Sequence, residues 1–419
     1  MADAAAYRRA VQPERPPPNV VGDWAASGVA ALTGRPAGPP LVPPGRAATV
    51  ARGLADHIAR VTAGRVRVDG PRLLSERAAF TGHRRRGAVS AGGSCRLLAT
   101  ADGWAAVSCA RPDDPLLLGA LIGAELPGEP WPVVAAWVRA HPGAELADRA
   151  ELLSLAAAPV RPAVPQTFPD LPPRPVDGLL VVDFSALWAG PLCAHLLGLA
   201  GAHVVKVETP TRPDGARGGD PDFYRLLHAG HHSVVLDPAV PADRGALAAL
   251  VAAADIVIEA SRPRALAGFG LDAHAAVAAG TTWISITAAG RSSSRVGFGD
   301  DVAASAGLVA HDADGPVFCG DAIADPLAGL TAAALALTAP ADGAGVLWDI
   351  AMAGVVAATL DAEPGPIPAA RRDGAGWVLD TTAGPVPVAH PRRRAVAGAA
   401  PVSGADTAAV LAAIGVPAP

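Results

Sequence analysis

The pattern of apolar and polar positions predicts a buried strand, a helix and a second buried strand between Leu179 and Glu208. The first apolar run covers Leu179 to Val182, and the second covers Val204 to Val207. Between them, a break that contains Ala189-Gly190-Pro191 opens a helical stretch. Continuous apolar strands joined by a crossover helix are typical of a parallel sheet whose two faces are covered by helices.

The same alternation of strands and helices continues towards the C-terminus. Strands are predicted at Ser233–Leu236, Asp255–Glu259 and Trp283–Thr287, and helices at Phe223–Ala229, Ala242–Ala253, Ala273–Ala279 and Pro326–Leu337. This pattern predicts an α/β fold, a Rossmann-like doubly wound parallel sheet, over residues 177–419. No G-x-G-x-x-G follows the first strand, which disfavours a nicotinamide-dependent oxidoreductase.

The chain before this sheet has a different pattern. Residues 1–22 are polar and proline-rich and are expected to form a disordered lead-in, and residues 161–176 form a proline-rich linker. Residues 23–160 combine helices, predicted at Asp23–Leu32, Ala47–Ala63, Pro71–Phe80, Asp114–Ile122, Trp131–Ala140 and Ala144–Leu155, with a hairpin of Cys95–Ala99 and Trp104–Ser108. The Asp102-Gly103 pair between those strands is a strong hairpin signal. A smaller α+β domain is therefore expected within this N-terminal region.

Composition narrows the classes of function. The 419 residues are 51% hydrophobic, and the formal net charge of -5 gives no basic character, so nucleic acid is not an expected partner. Four cysteines lie at no metal-ligand spacing, and neither a metal site nor a disulfide framework is expected. No leader or membrane-length apolar run stands out, so we expect a cytoplasmic protein without membrane contact. Lys206 is the only lysine in the sequence.

The segment Asp183–Glu208 resembles the opening of the family III CoA-transferases, which include formyl-CoA and carnitine CoA-transferases and the alpha-methylacyl-CoA racemases. Ala189-Gly190-Pro191, Gly201-Ala202 and Val205-Lys206-Val207-Glu208 carry the resemblance. It implies an enzyme that moves CoA between an acyl-CoA thioester and a small carboxylic acid, with no permanently bound cofactor, and that forms a homodimer.

The order of segments departs from that family. Thr100–Val160 resembles the family's small domain but precedes the sheet instead of following it. Asp23-Trp24-Ala25-Ala26-Ser27 is also echoed by Asp301-Val302-Ala303-Ala304-Ser305. The chain is therefore either circularly permuted, which is tolerated where termini lie close together, or a fusion of two partial copies.

Asp325 is the candidate catalytic residue. It lies in an otherwise apolar phrase, Ala324-Asp325-Pro326-Leu327-Ala328-Gly329, which resembles the family's catalytic aspartate at the head of a helix. The resemblance implies covalent catalysis through an aspartyl anhydride and an aspartyl-CoA thioester. Asp325 could instead only cap the helix, and Asp321 is a rival for the catalytic role.

Residues for CoA binding are predicted from both motif and resemblance. Ala189, Gly190 and Pro191 open a helix N-terminus, which favours anions. Lys206 lies at the carboxyl end of a strand, where open α/β sheets bind ligands, and it is therefore a candidate for CoA binding. The alternative role for Lys206 is a surface salt bridge with Glu208. By resemblance, His231, Arg262 and Arg264 complete the set of phosphate partners.

Two other functions remain open. An acyl-CoA racemase or isomerase would need a histidine where this chain has Asp300, and a carboxylate does not readily replace an imidazole that shuttles protons near neutral pH. A non-catalytic relative that binds acyl-CoA without turnover is the second alternative.

Overall fold

A computed structural model describes residues 19–126, 128–261, 263–361, 369–381 and 384–416. The predicted lead-in falls outside the described residues up to residue 18. Arg262, predicted to bind CoA, also lies outside them.

The first elements of the described chain are helices. They are α1 (Val20–Ser27), α2 (Ala47–Val61), α3 (Gly70–Leu73) and α4 (Glu76–Thr81), with a 3-10 turn at Ala30–Leu32. The side chain of Asn19 caps α1 by accepting a 2.9 Å hydrogen bond from the backbone of Gly22. Gly28, at φ +81°, ends α1 in the left-handed conformation, so the single helix predicted over Asp23–Leu32 is divided at this glycine.

A small antiparallel sheet follows. Its strands are β1 (Cys95–Ala99), β2 (Trp104–Ser108) and β3 (Ala157–Pro159), and its helices are α5 (Asp114–Ile122), α6 (Trp131–Ala140) and α7 (Gly143–Leu153). The first two strands form the predicted hairpin with the predicted bounds. One face of this sheet and the three helices enclose their own apolar core, in which Val107, Leu118 and Leu146 are buried. This unit is the smaller α+β part of the fold.

The large α/β unit begins after the linker. Its elements are β4 (Leu180–Asp183), α8 (Ala189–Leu199), β5 (His203–Glu208), a 3-10 turn at Gly215–Gly218, α9 (Pro221–His228), β6 (His232–Val235), α10 (Pro241–Ala253), β7 (Ile256–Glu259), α11 (Pro263–Gly268), α12 (Ala273–Ala278) and β8 (Thr282–Thr287). The chain continues with α13 (Gly299–Ser305), β9 (Val309–Asp312), β10 (Gly315–Phe318), α14 (Ala324–Ala336), β11 (Val346–Ala351), α15 (Met352–Ala357), β12 (Arg371–Asp373), β13 (Gly376–Thr381), β14 (Gly384–Pro387) and α16 (Thr407–Ala413).

Six of these strands form one parallel sheet in the order β6-β5-β4-β7-β8-β11. After β4 the chain adds β5 and β6 on one side of it, and it then returns to place β7 on the other side. This reversal of strand order is the Rossmann arrangement, and it opens a crevice at the carboxyl ends of β4 and β7.

Side chains on neighbouring strand positions enter opposite cores. Val181, Ile258 and Ile284 pack into the larger core, whereas Val182 and Val257 pack into the core on the other face. Because strand side chains alternate between faces, both faces of this sheet are apolar and both are covered by helices. The predicted fold class, an α/β protein with a doubly wound parallel sheet and a smaller α+β unit, is confirmed.

The N-terminal helices share the larger core with the sheet. Trp24 of α1 and Ile58 of α2 are fully buried in the same apolar cluster as Leu192 of α8 and Leu330 of α14. The small sheet has a separate core, so residues 20–80 pack with the parallel sheet rather than with β1–β3. The division into domains at residues 160 and 176 stays a prediction.

Helices α8 and α14 meet at Gly329. A Cβ at Gly329 would lie 2.6 Å from the carbonyl oxygen of Ala189 and 3.1 Å from the Cβ of Leu192. This glycine therefore allows the close approach that places the first turns of both helices at the crevice.

We expect Gly329→Ala to lower the free energy of unfolding by about 1–3 kcal/mol, because the added methyl group overpacks the contact between α8 and α14. The matched control is Gly245→Ala in the exposed part of α10, where a Cβ meets nothing within 4 Å. There alanine should be neutral or raise stability by up to about 1 kcal/mol through helix propensity. Urea unfolding of both variants measures the difference, and equal effects would contradict the packing argument.

Candidate active site

A cleft of about 490 Å³ lies over the carboxyl ends of β4, β7 and β8. It is lined by Arg111, Ala186, Leu187, Ala189, Arg212, Ala260, Ser261, Arg264, Ala265, Ile286, Thr287, Ala288, Ser293, Arg295, Val296, Gly297, Phe298, Asp325 and Met352. The cleft thus occupies the position at which open α/β sheets bind ligands. Its lining is largely apolar with a few charged groups, as is common for small-molecule sites.

Asp325 lines this cleft as the second residue of α14. The chain reaches it through Ala322, a non-glycine residue at φ +47°, whose backbone N–H donates a 2.7 Å hydrogen bond to Oδ1 of Asp300. The N-cap position of α14 belongs to Ile323, so a capping role does not account for this carboxylate. An acidic side chain in the first turn is still favoured by the helix dipole.

The first residue of α13, Gly299, passes directly beside Asp325. A Cβ at Gly299 would lie 2.5 Å from Oδ2 of Asp325 and 2.5 Å from the backbone oxygen of Ala322. Only glycine permits this close approach.

Burial raises the pKa of Asp325 to about 7, and the neighbouring carboxylates Asp300, Asp301 and Asp321 raise it further against the opposing charge of Arg77. A carboxylate with this pKa is ionised in part near neutral pH and is a stronger base than an ordinary aspartate. Such a perturbed group in a cleft is typical of a functional site.

Asp321 is held as an anion by residues of the N-terminal region. Arg77 of α4 donates to both of its carboxylate oxygens, at 3.0 and 2.5 Å, and Nδ1 of His83 lies 3.2 Å from Oδ1. Burial acts to raise the pKa of Asp321, but Arg77 and His83 outweigh it and keep that pKa well below its usual range. Asp321 is fully buried and already paired, which disfavours it as the nucleophile.

Asp300 and Asp301 open α13 on the other side of Asp325. Burial raises the pKa of each to about 6, with Asp321 adding to the shift of Asp300. Oδ1 of Asp301 accepts hydrogen bonds from the backbone of Phe298 at 2.8 Å and from Oγ of Ser108 at 3.2 Å. Ser108 belongs to β2, so the small sheet also contacts this acidic cluster.

The predicted helix-opening residues lie where the sequence places them. Ala189 lines the cleft, and Gly190 and Pro191 follow it in the buried first turn of α8. A Cβ on Gly190 would overlap the side chain of Ser185, so this position also requires glycine. Arg264 lies exposed at the rim of the cleft.

Lys206 lies beneath the cleft rather than in it. Its side chain is buried, and Nζ donates to the backbone oxygen of Ser185 and lies 3.0 Å from Oδ2 of Asp214 and 3.7 Å from Oδ2 of Asp183. Burial acts to lower the pKa of Lys206, but Asp183 and Asp214 outweigh it and raise that pKa. The alternative of a surface salt bridge with Glu208 is wrong, because Lys206 is enclosed and its closest acid is Asp214.

His231 also lies away from the residues that line the cleft. It is buried behind α8, with its ring centroid 5.6 Å from that of His228. Burial lowers the pKa of His231 to about 3, with Lys206 and His232 adding to the shift, so the ring is neutral at pH 7.

Three arginines of the cleft were not predicted. Arg212 is exposed and follows β5, so its place after a strand end was a usable signal. Arg111 comes from the small α+β unit and Arg295 from the segment before α13, and only the tertiary structure brings them to the cleft. The described part of the chain contains no helix long and apolar enough to cross a bilayer.

Curated proteins similar to this chain are CoA-transferases. A succinyl-CoA–D-citramalate CoA-transferase of Chloroflexus aurantiacus is 35% identical over 24% of this chain and 27% of its own length. A succinate–glutarate CoA-transferase of Agrobacterium fabrum is 33% identical over 25% of this chain and 30% of its own length. The chain therefore spans less than a third of the length of these relatives.

Two solved structures show partial similarity. Rv3272 from M. tuberculosis is 27% identical, with a TM-score of 0.43 over 50% of this chain and 63% of its own. A CAIB/BAIF family protein from Brucella suis is 28% identical, with a TM-score of 0.40 over 44% of this chain and 55% of its own.

One protein family matches the part of the chain that contains the parallel sheet, α13, α14 and the start of the C-terminal strands. Residues 176–375 match CoA-transferase family III. The resemblance predicted from the sequence is therefore confirmed over residues 176–375, which match this family.

Proposed function

We propose that this protein moves CoA between an acyl-CoA thioester and a carboxylic acid, and that the covalent intermediates form on Asp325. The observation that carries the proposal is the Asp325 carboxylate with its pKa of about 7, which lines a cleft at the reversal point of a family III sheet. The similar CoA-transferases support transfer as the general reaction.

The proposed reaction consists of four acyl transfers that need no other reactant. The ionised Asp325 attacks the thioester carbonyl carbon, the C–S bond breaks, and CoA leaves as a thiolate from an acyl-aspartyl anhydride. The thiolate then attacks the aspartyl carbonyl carbon and releases the donor acid as a carboxylate. The acceptor carboxylate repeats these two steps in reverse on the aspartyl-CoA thioester, which restores the Asp325 carboxylate and releases the new acyl-CoA.

CoA is proposed to enter along the rim that carries Arg212 and Arg264. Both side chains are exposed, and within the described residues neither forms an ion pair, so both are available to phosphate groups. The N-terminus of α8 at Ala189, Gly190 and Pro191 adds backbone N–H groups that favour an anion. Arg262 remains a proposed partner by resemblance, whereas His231 is buried and neutral and is not part of this proposal.

Lys206 is proposed to act as a positioning residue for the loop after β4. Its Nζ binds the backbone oxygen of Ser185, and its partner Asp214 accepts a 2.9 Å hydrogen bond from the backbone of Leu187. Leu187 lines the cleft at φ +69°, an unfavourable conformation for leucine that this buried pair holds in place. We also propose, from the family resemblance, that the protein acts as a cytoplasmic homodimer without a permanently bound cofactor.

Incubation with an acyl-CoA and hydroxylamine should convert Asp325 into a hydroxamate, because hydroxylamine captures the activated aspartyl carbonyl. Peptide mass spectrometry locates the adduct. Asp325→Ala should abolish both the adduct and CoA exchange into an acid, whereas Asp342→Asn, at an exposed aspartate, should retain both. Bound CoA without an adduct in the wild-type protein would indicate the non-catalytic relative instead, and full turnover by Asp325→Ala would exclude this nucleophile.

The rate of CoA transfer should rise with pH through about 7, because only the ionised Asp325 attacks the thioester. Below this value kcat/KM should increase about tenfold per pH unit, and above it the profile should level off. Asp301→Asn removes a neighbouring negative charge and should move the inflection to lower pH. A profile that is flat between pH 5 and 9 would contradict a nucleophile with the pKa of about 7 given for Asp325.

Replacing Asp325 with asparagine should stabilise the fold at alkaline pH. The folded-state pKa is raised above the ordinary value of 3.8, so the wild-type protein loses stability as pH rises from about 4 to about 7. Asp325→Asn avoids this loss and should gain roughly 1–3 kcal/mol at pH 8, with little gain at pH 4. Urea unfolding at the two pH values tests the difference. An equal effect at both values would show that ionisation of Asp325 is not the cause.

A further inference from the structure

Helix α4 places one cation between the two segments that form the floor of the cleft. Arg77 donates to both carboxylate oxygens of Asp321, at 3.0 and 2.5 Å, and its guanidinium carbon lies 5.4 Å from the ring centroid of Trp188. Asp321 precedes Asp325 by one helical turn, and Trp188 directly precedes the first residue of α8. Arg77 therefore joins the segment that carries the proposed nucleophile to the segment that opens the proposed anion site.

Both neighbours of Arg77 are removed from solvent. Asp321 and Trp188 are fully buried, whereas the side chain of Arg77 is 26% exposed. A two-point bond between guanidinium and carboxylate fixes the geometry of both groups, and a cation over a buried indole ring is attracted to its face. The described residues that line the cleft do not include Arg77, so any effect it has on the cleft passes through these two neighbours.

Helix α4 is itself anchored to the large α/β unit. Its first residue, Glu76, is buried and accepts hydrogen bonds of 2.7 and 2.8 Å from the guanidinium of Arg394. The ring centroid of Phe80 lies 5.5 Å from that of Phe223, which lies 5.5 Å from that of Trp188. These contacts fix the backbone of α4 relative to α8.

The charged groups around Asp325 come from several segments. They are Asp300 and Asp301 of α13, Asp321 before α14 and Arg77 of α4, with His83 beside Asp321 and Arg295 beside Asp301. Burial has the largest effect on the pKa of Asp325 and raises it; Arg77 comes next and lowers it, and Asp321 has a smaller effect and raises it. The two members of one ion pair thus act on Asp325 in opposite directions.

We propose that Arg77 is a positioning residue for the transfer reaction, which holds the Asp321 segment against the opening of α8 and supplies the positive charge that favours the ionised nucleophile. This role rests on the proposed function. Arg77 acts on the thioester only through Asp325 and the start of α8. Since α4 lies outside residues 176–375, the N-terminal part of this chain supplies a component of the reaction that the matched family segment does not contain.

The test measures the pH profile of kcat/KM for CoA transfer, with acetyl-, butyryl- or succinyl-CoA as donor and the other two acids as acceptors. Arg77→Met should move the inflection from about 7 upward by roughly one pH unit, which lowers kcat/KM below pH 7 about tenfold. Asp321→Asn should move the inflection downward. Arg77→Lys should restore most of the shift, because it retains the charge. Arg60→Met, at an exposed position of α2, is the matched control and should leave the profile unchanged.

The variant Arg77→Met leaves Asp321 as a buried anion without its guanidinium partner and could fail to fold. The double variant Arg77→Met/Asp321→Asn avoids that unpaired charge. Its inflection should lie above that of Asp321→Asn alone, because the two differ only in Arg77. Inflections that move in the same direction in both single variants, or losses of activity that are equal at every pH, would reduce Arg77 to a structural contact and overturn the proposal.

Unfolding in urea separates this inference from the proposed function, because it needs no substrate. The stability gained through Asp325→Asn increases with pH and levels off above the folded-state pKa of Asp325. In the background without Arg77, this gain should level off at a higher pH. Such a shift without CoA transfer to any acid would remove the transferase reaction and retain the control of Asp325 by Arg77. Transfer by the wild-type protein with no shift in either measurement would retain the reaction and exclude Arg77 from it.

Discussion

The cleft depends on keeping four neighbouring aspartates, the buried Asp300, Asp301 and Asp321 and the half-buried Asp325, close to the guanidinium of Arg77. Arg295 lies 4.0 Å from Asp301 and is a second positive charge at this cluster. Arg77 neutralises Asp321 through a two-point hydrogen bond, while burial raises the pKa values of the other three. If all four were ionised, their mutual repulsion would be severe, because the cluster is shielded from solvent. Arg77 comes from α4, so the electrostatic balance at the parallel sheet is set by a residue from the other end of the chain.

The same long-range dependence holds for the packing. Helices α1 and α2 bury their apolar faces against α8 and α14, and Ser108 of the small sheet binds Asp301. The segment that begins at Asp23 resembles the one that begins at Asp301, but it has no counterpart of Asp325. Ala47 lies at the same spacing from Asp23 as Asp325 does from Asp301. Asp23 is instead paired with Arg52 at 2.7 Å. The first segment therefore contributes packing rather than a second nucleophile, whether the chain arose by permutation or by fusion.

Strained backbone and buried charge are concentrated around the cleft. Leu187 and Ala322 both adopt positive φ. Hydrogen bonds of Lys206 to Ser185 and of Leu187 to Asp214 hold the loop that contains Leu187. Asp300 holds Ala322 by accepting a hydrogen bond from its backbone. Such conformations and a desolvated carboxylate reduce stability, and they persist where the surrounding structure determines them. This cost is consistent with a cleft whose geometry is selected for chemistry rather than for folding alone.

The sequence by itself determined the fold class, because helix and strand periodicity and the Asp102-Gly103 turn are local signals. Asp325, at the head of a helix, was picked out by its apolar surroundings and by the resemblance of its phrase to the family. It also placed Ala189, Gly190 and Pro191 correctly at the opening of α8. Only the tertiary structure decided that Lys206 and His231 lie behind the cleft and that Arg295 lies in it, since side-chain direction and pairing depend on distant segments. The Arg77–Asp321 pair joins residues far apart in the chain, and no periodicity within one segment could show that contact.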